Sequence, residues 1–176
     1  SGLIHLSLHL FLIFIFAYFI YFFRGSVIQY LFMFIEGVFI AFLYAGMHEC
    51  IHKTAFKSRK LNEFIGKIIG FCIFRSFLNA RYRHMAHHTY TQHPKKDPDR
   101  VDFPNSYFQY FKHITSTAIF IRIFNNLIRH SLGIINDSEK KYIPTSEINN
   151  LIKETRIMFL GYFCFILISI IFSTSF

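Results

Sequence analysis

Residues Leu6 to Phe23 form a run of 18 without one charged side chain, close to the ~20 apolar residues that cross a bilayer as a helix. A second run, Val27 to Met47, is broken only by Glu36, and a third, Ile157 to Ser173, lies near the other end. Such runs leave few folds open. In hydrocarbon every backbone N–H and C=O must find its partner inside the segment, which a helix provides. The chain is therefore expected to be an all-α, integral membrane protein with spans at about 6–23, 27–47 and 157–173. A secretory signal is the rival reading of the first run. No basic stretch precedes it, however, and Arg24-Gly25-Ser26 passes into Val27 without a small-residue cleavage site. Glu36 is expected to be buried and neutral, because a carboxylate in mid-bilayer costs on the order of 3 kcal/mol. It precedes His48 by about 18 Å of helix, too far to share a ligand site.

Between the second and third spans the character changes. All but one of the 19 Lys and Arg lie from Lys53 to Arg156, so the positive-inside rule puts the 48–156 loop, and with it the N-terminus, in the cytoplasm. Two stretches of this loop are apolar yet carry charge. Phe64–Leu78 is short and contains Lys67 and Arg75, and Tyr107–His130 spaces Lys112, Arg122 and Arg129 in a helical pattern. The first is expected to be a re-entrant or surface-lying helix and the second a helix in the interface plane, both pressing a cytosolic cap onto lipid. Gly133–Pro144 reads as a turn-rich break, with Thr145 or Ser146 as the N-cap of the last helix. Cys50, Cys72 and Cys164 are too scattered for a disulfide framework or a thiolate metal site.

The chemistry is carried by histidine. His48 and His52 stand four apart where the second apolar run meets charge, and His84, His87 and His88 lie within one helical turn and a half. Residues three and four apart share a helix face, so each group can converge its imidazoles on one point. Nitrogen donors suit Zn, Fe, Cu or Ni and not Mg or Ca. His5, His9, His113 and His130 lack clustered spacing and are expected to tolerate replacement. His93, followed by Pro94, is expected to leave the helix face. One rival remains, because His48-Glu49-Cys50-Ile51-His52 also satisfies His-Glu-x-x-His, the zinc metalloprotease pattern with Glu49 as general base. That reading leaves the second cluster unused.

Together these motifs resemble the membrane fatty acid desaturase superfamily. Its first histidine box, His-x(3,4)-His, matches His48 and His52, and its second, His-x(2,3)-His-His, matches His84, His87 and His88. The flanking Lys53-Thr-Ala-Phe-Lys-Ser58, Thr89-Tyr-Thr-Gln92 and Asp97-Pro-Asp99 agree, and the likeness runs roughly from Val27 to Arg156. The resemblance implies two iron ions held by histidines, O2 as co-substrate, and removal of two hydrogens from an acyl chain. It also implies an electron-transfer protein, ferredoxin-like or cytochrome-like, as partner, with no role for nucleic acid. Localisation in a bacterial inner membrane, histidine clusters cytoplasmic, would follow. Related hydroxylases and carotenoid oxygenases are the alternatives within the superfamily; the alkane hydroxylases carry Gly where this chain has Ala86. Glu49, Asp97 and Asp99 are candidates to orient the imidazoles through their second ring nitrogen, although Asp-Pro-Asp is also ordinary turn chemistry. The superfamily's third box, His-x-x-His-His, is not found here. The expectation is therefore of one truncated domain, with the 176-residue chain inactive by itself because five imidazoles fall short of what two irons require.

Overall fold

The computed structural model describes residues 2–100 and 103–172. Among these no strand occurs, and three helices are long and apolar enough to cross a membrane. The protein is an all-α, integral membrane protein. The chain divides between Ile73 and Phe74 into two compact units.

The first unit begins with a hairpin of α1 (Gly2–Phe22) and α2 (Val27–His52). Gly25, at φ 82, takes the left-handed turn position that a Cβ would strain. Rings pack the hairpin, with Phe16 stacked on Phe39 at 5.3 Å and Phe23 on Phe32 at 5.3 Å between centroids. His9 Nε2 meets the Phe39 carbonyl oxygen at 2.8 Å, so this histidine serves helix pairing. Glu36 is half-buried and its Oε2 has no hydrogen-bond partner among the described residues. The apolar run predicts a second span that stops at Met47, with both histidines beyond it. Instead α2 continues through His52, because Met47, Cys50 and Ile51 form a buried stripe at helical spacing and extend the helix past the apolar run.

Helix α3 (Arg59–Cys72) packs on α2 through Asn62, Gly66, Ile69 and Gly70, an i, i+4, i+7, i+8 face. Its N-cap is Ser58, whose Oγ accepts from the Leu61 N–H. The apolar segment expected as one helix over Phe64–Leu78 is thus broken. Phe74 has φ 58 and Ser76 caps a new helix, as local side chain to backbone bonding wins over apolar continuity.

The second unit contains α4 (Phe77–Tyr90), α5 (Tyr107–Ile114), α6 (Thr117–Ser131), the single turn α7 (Asp137–Lys140) and α8 (Ile148–Ile171). The stretch Tyr107–His130 is likewise two helices, parted where Ser116 adopts φ 53. Helix α6 ends at Gly133, φ 80, whose neighbour Ile134 donates its N–H to Arg129 O at 2.8 Å, a left-handed cap that a Cβ would disfavour. The expected N-cap at Thr145 or Ser146 is instead a 3-10 turn, Thr145–Glu147, without side-chain capping. The last helix begins at Ile148 and ends at Ile171; Ser173, the expected end of the span, lies outside the described residues. Leu78, Ile143 and Leu151 form the buried core of this unit, bordered by Tyr82, Ile135 and Tyr142.

Candidate metal centre

His48 and His52 occupy the last turn of α2, ring centroids 4.6 Å apart. The segment after His52 holds that turn in shape. Lys53 takes the left-handed conformation at φ 63, which costs a non-glycine residue ~1–2 kcal/mol. The reversal returns Thr54 to the helix end, where its N–H donates to Glu49 O at 3.0 Å and its hydroxyl to Glu49 Oε2 at 2.6 Å. Glu49 Oε1 in turn lies 3.2 Å from His48 Nδ1. Asn62, fully buried, clamps the chain just downstream by accepting from Phe56 N–H and donating to the Phe56 and Ser58 carbonyl oxygens. No motif marks Asn62 or Thr54, and only the short apolar face of α3 hints at the first.

In the second unit, α4 carries the other cluster. Ser76 Oγ accepts from Asn79 N–H and donates to Glu154 Oε1 of α8, which also takes the Leu78 N–H. A carboxylate there satisfies open donors and suits the positive end of the helix. Phe77, Leu78, Ala80, Arg83 and Ala86 form the buried face. His84 Nε2 and His88 Nε2 stand 2.9 Å apart. At that separation the two nitrogens either share a proton or face one cation.

His87 is held differently. Its Nδ1 is 2.8 Å from Asp97 Oδ1, and Asp97, its side chain 0% exposed, also accepts from the N–H groups of Gln92 and Asp99. Burial pushes the Asp97 carboxyl up, but these three hydrogen bonds outweigh it and hold it below the ordinary range. The anion fixes the ring and commits Nδ1, leaving Nε2 as the outward donor. Asp99 pairs with Arg83, whose guanidinium also donates to the Pro98 carbonyl oxygen. The Asp-Pro-Asp turn therefore splits its roles: Asp97 orients an imidazole, whereas Asp99 anchors the loop and touches no histidine ring in the described contacts. His93 lies in the turn after α4, its N–H donating to Tyr90 O at 2.8 Å.

His130, expected to tolerate change, has a packing role. It is fully buried, with Nε2 3.0 Å from Glu139 Oε1, and Arg129 grips the same carboxylate at 3.1 Å through two nitrogens. Burial raises the Glu139 carboxyl, yet the His130, Arg129 and Asn136 bonds bring it down to about 2. Three residues of separate sequence character build this network, which no motif announces.

The donor chemistry fits iron. Imidazole nitrogens form each cluster, with the Glu49 and Asp97 carboxylates hydrogen-bonded to His48 and His87, a donor set suited to borderline metals and not to Mg or Ca. A membrane-spanning helix, α2, carries the first cluster and the shorter α4 the second, which makes this a histidine-rich membrane protein with candidate metal ligands in each unit. Residues 25–175 match the family model described as fatty acid desaturase, and the chain belongs to that family. It is 34% identical over 65 residues to the omega-3 fatty acid desaturase fat-1 of Caenorhabditis elegans. That alignment covers 37% of this chain and 16% of the relative. No solved structure matches. Family membership, and a Glu49 already engaged by His48 and Thr54, both count against the zinc protease reading.

Proposed function

We propose that the protein contributes to an O2-dependent lipid desaturase in which His48 and His52 of the first unit and His84, His87 and His88 of the second serve as metal ligands. The observation that carries this is the paired ligand spacing in both clusters, within a chain of the desaturase family. When bound, two irons would supply the oxidising power that takes two hydrogens from an unactivated acyl chain, with O2 and two electrons consumed. This chain's own residues do the positioning. Asp97 keeps His87 in one tautomer, Glu49 bonds His48 Nδ1, and Thr54 fixes Glu49. Preoriented imidazoles lose little freedom on binding, which raises metal affinity.

In this reading the clusters face the cytoplasm and α3, α5 and α6, each amphipathic, lie in the interface beside the lipid substrate. An electron-transfer protein docks on the same side. Hydroxylation of the same chain is the neighbouring outcome. The test is metal analysis of the membrane-purified, full-length protein together with lipid profiling of cells that make it. Iron and an O2-dependent unsaturated product are expected, and His84→Ala or His52→Ala should remove both. Stoichiometric zinc, or product formation that survives those substitutions, would refute the proposal.

A further inference from the structure

The second unit holds a cavity of about 600 Å³ that the metal chemistry does not use. Six cationic side chains line it: Arg83, Lys95, Lys96, Arg122, Arg129 and Lys141. Two are already committed, Arg83 to Asp99 and Arg129 to Glu139. The acids in the wall are spent as well, Asp97 on His87 and Glu139 on His130 and Arg129. Lys96 lies over the Tyr90 ring at 5.2 Å. For Arg122, Lys95 and Lys141 no side-chain hydrogen bond or ion pair occurs among the described residues, the nearby carboxylates of Asp99 and Asp137 being bound to Arg83 and Lys140. Burial first and then the neighbouring Arg83 lower the Arg122 guanidinium pKa, with Asp99 opposing them.

From this excess we propose that the cavity between α4, α6 and the α7 segment binds a phosphate-bearing anion, with Arg122, Lys95 and Lys141 as its principal partners. Guanidinium offers a planar fork that matches phosphate oxygens, and lysines add mobile point charges. Asn126 and Ser138, in the same wall, can supply neutral hydrogen bonds. The ligand could be a lipid head group or a soluble phosphate, since both present the same oxygens. The proposal needs no iron and no turnover, so it stands or falls apart from the desaturase reading.

The test uses the full chain in lipid nanodiscs. One arm measures binding of inorganic pyrophosphate by equilibrium dialysis; the other compares retention of phosphatidylglycerol over phosphatidylcholine by native mass spectrometry. Arg122→Gln with Lys141→Gln should weaken the preferred anion about tenfold or more, as loss of charge-assisted bonds implies. Lys57→Gln with Lys60→Gln, equal in charge but outside the cavity, should leave binding unchanged, and Arg122→Lys should retain most of it. Helical circular dichroism checks that each variant is folded. Cavity-dependent pyrophosphate binding identifies a soluble ligand, and cavity-dependent phosphatidylglycerol retention identifies a lipid. Binding in neither arm, or equal loss in the two double variants, overturns the site.

Discussion

The α1–α2 hairpin and the α6–α7 junction are built on opposite principles. Helix α1 has no buried residue, and large side chains on its outer face, Phe14 and Tyr21 among them, are exposed. Around α6 and α7, by contrast, a histidine, an arginine and a glutamate are drawn together with the Glu139 side chain only 6% exposed. The first region relies on lipid to cover it, where helix association comes from ring packing and a few hydrogen bonds. The second depends on a closed polar network, in which each member is costly to leave alone. One chain thus carries a part that its solvent stabilises and a part that stabilises itself, and the same substitution chemistry should have unequal effects in the two.

The sharpest test of that contrast is Glu139→Ala, which strands buried His130 and the Arg129 guanidinium and uncaps α7. Thermal unfolding of the detergent-purified protein should show a loss of about 3–5 kcal/mol. A loss below 1 kcal/mol would mean that the network is no stronger than the hairpin. Acid should act in the same place. The Glu139 carboxyl is held at about 2 against an ordinary 4.5. A depressed carboxyl contributes stability that is present above pH 4.5 and is lost as pH falls toward 2, here ~3 kcal/mol at most. Unfolding followed from pH 6 to 2 should show that decline, and Glu139→Gln should flatten it.

At the candidate metal site, Asp97→Asn keeps the shape but removes the anion bonded to His87. Iron affinity should fall 10–100-fold with little change in fold, measured by competition with a chelator; unchanged affinity would make Asp97 a loop anchor only. The smallest effect belongs to the hairpin. His9→Phe forfeits the bond to the Phe39 carbonyl oxygen and should cost about 0.6 kcal/mol, typical of interhelical hydrogen bonds in lipid. A loss above 2 kcal/mol would show that the hairpin, too, rests on polar contacts.

The legible parts were those written in local pattern. Uncharged runs specified α1, α2 and α8 because a bilayer leaves the backbone no other partners, and the i, i+3 and i+4 spacings placed His48 with His52 and His84 with His88 because helical geometry alone puts them on one face. Family motifs around those histidines pointed to the desaturases for the same reason: ligand chemistry demands particular residues at short range. Helix ends were less legible. Carrying α2 past Met47 to His52, and breaking the apolar segments at Phe74 and Ser116, depended on burial against other helices and on caps that compete with apolar continuity. What only the tertiary structure decided was the partner of each polar group. Asp97 and Asp99 are equivalent in the sequence, yet one reaches His87 and the other Arg83; His130 looked dispensable and is buried on a glutamate nine residues away. Such pairings depend on which side chains are denied water, and that is settled only when the helices have packed.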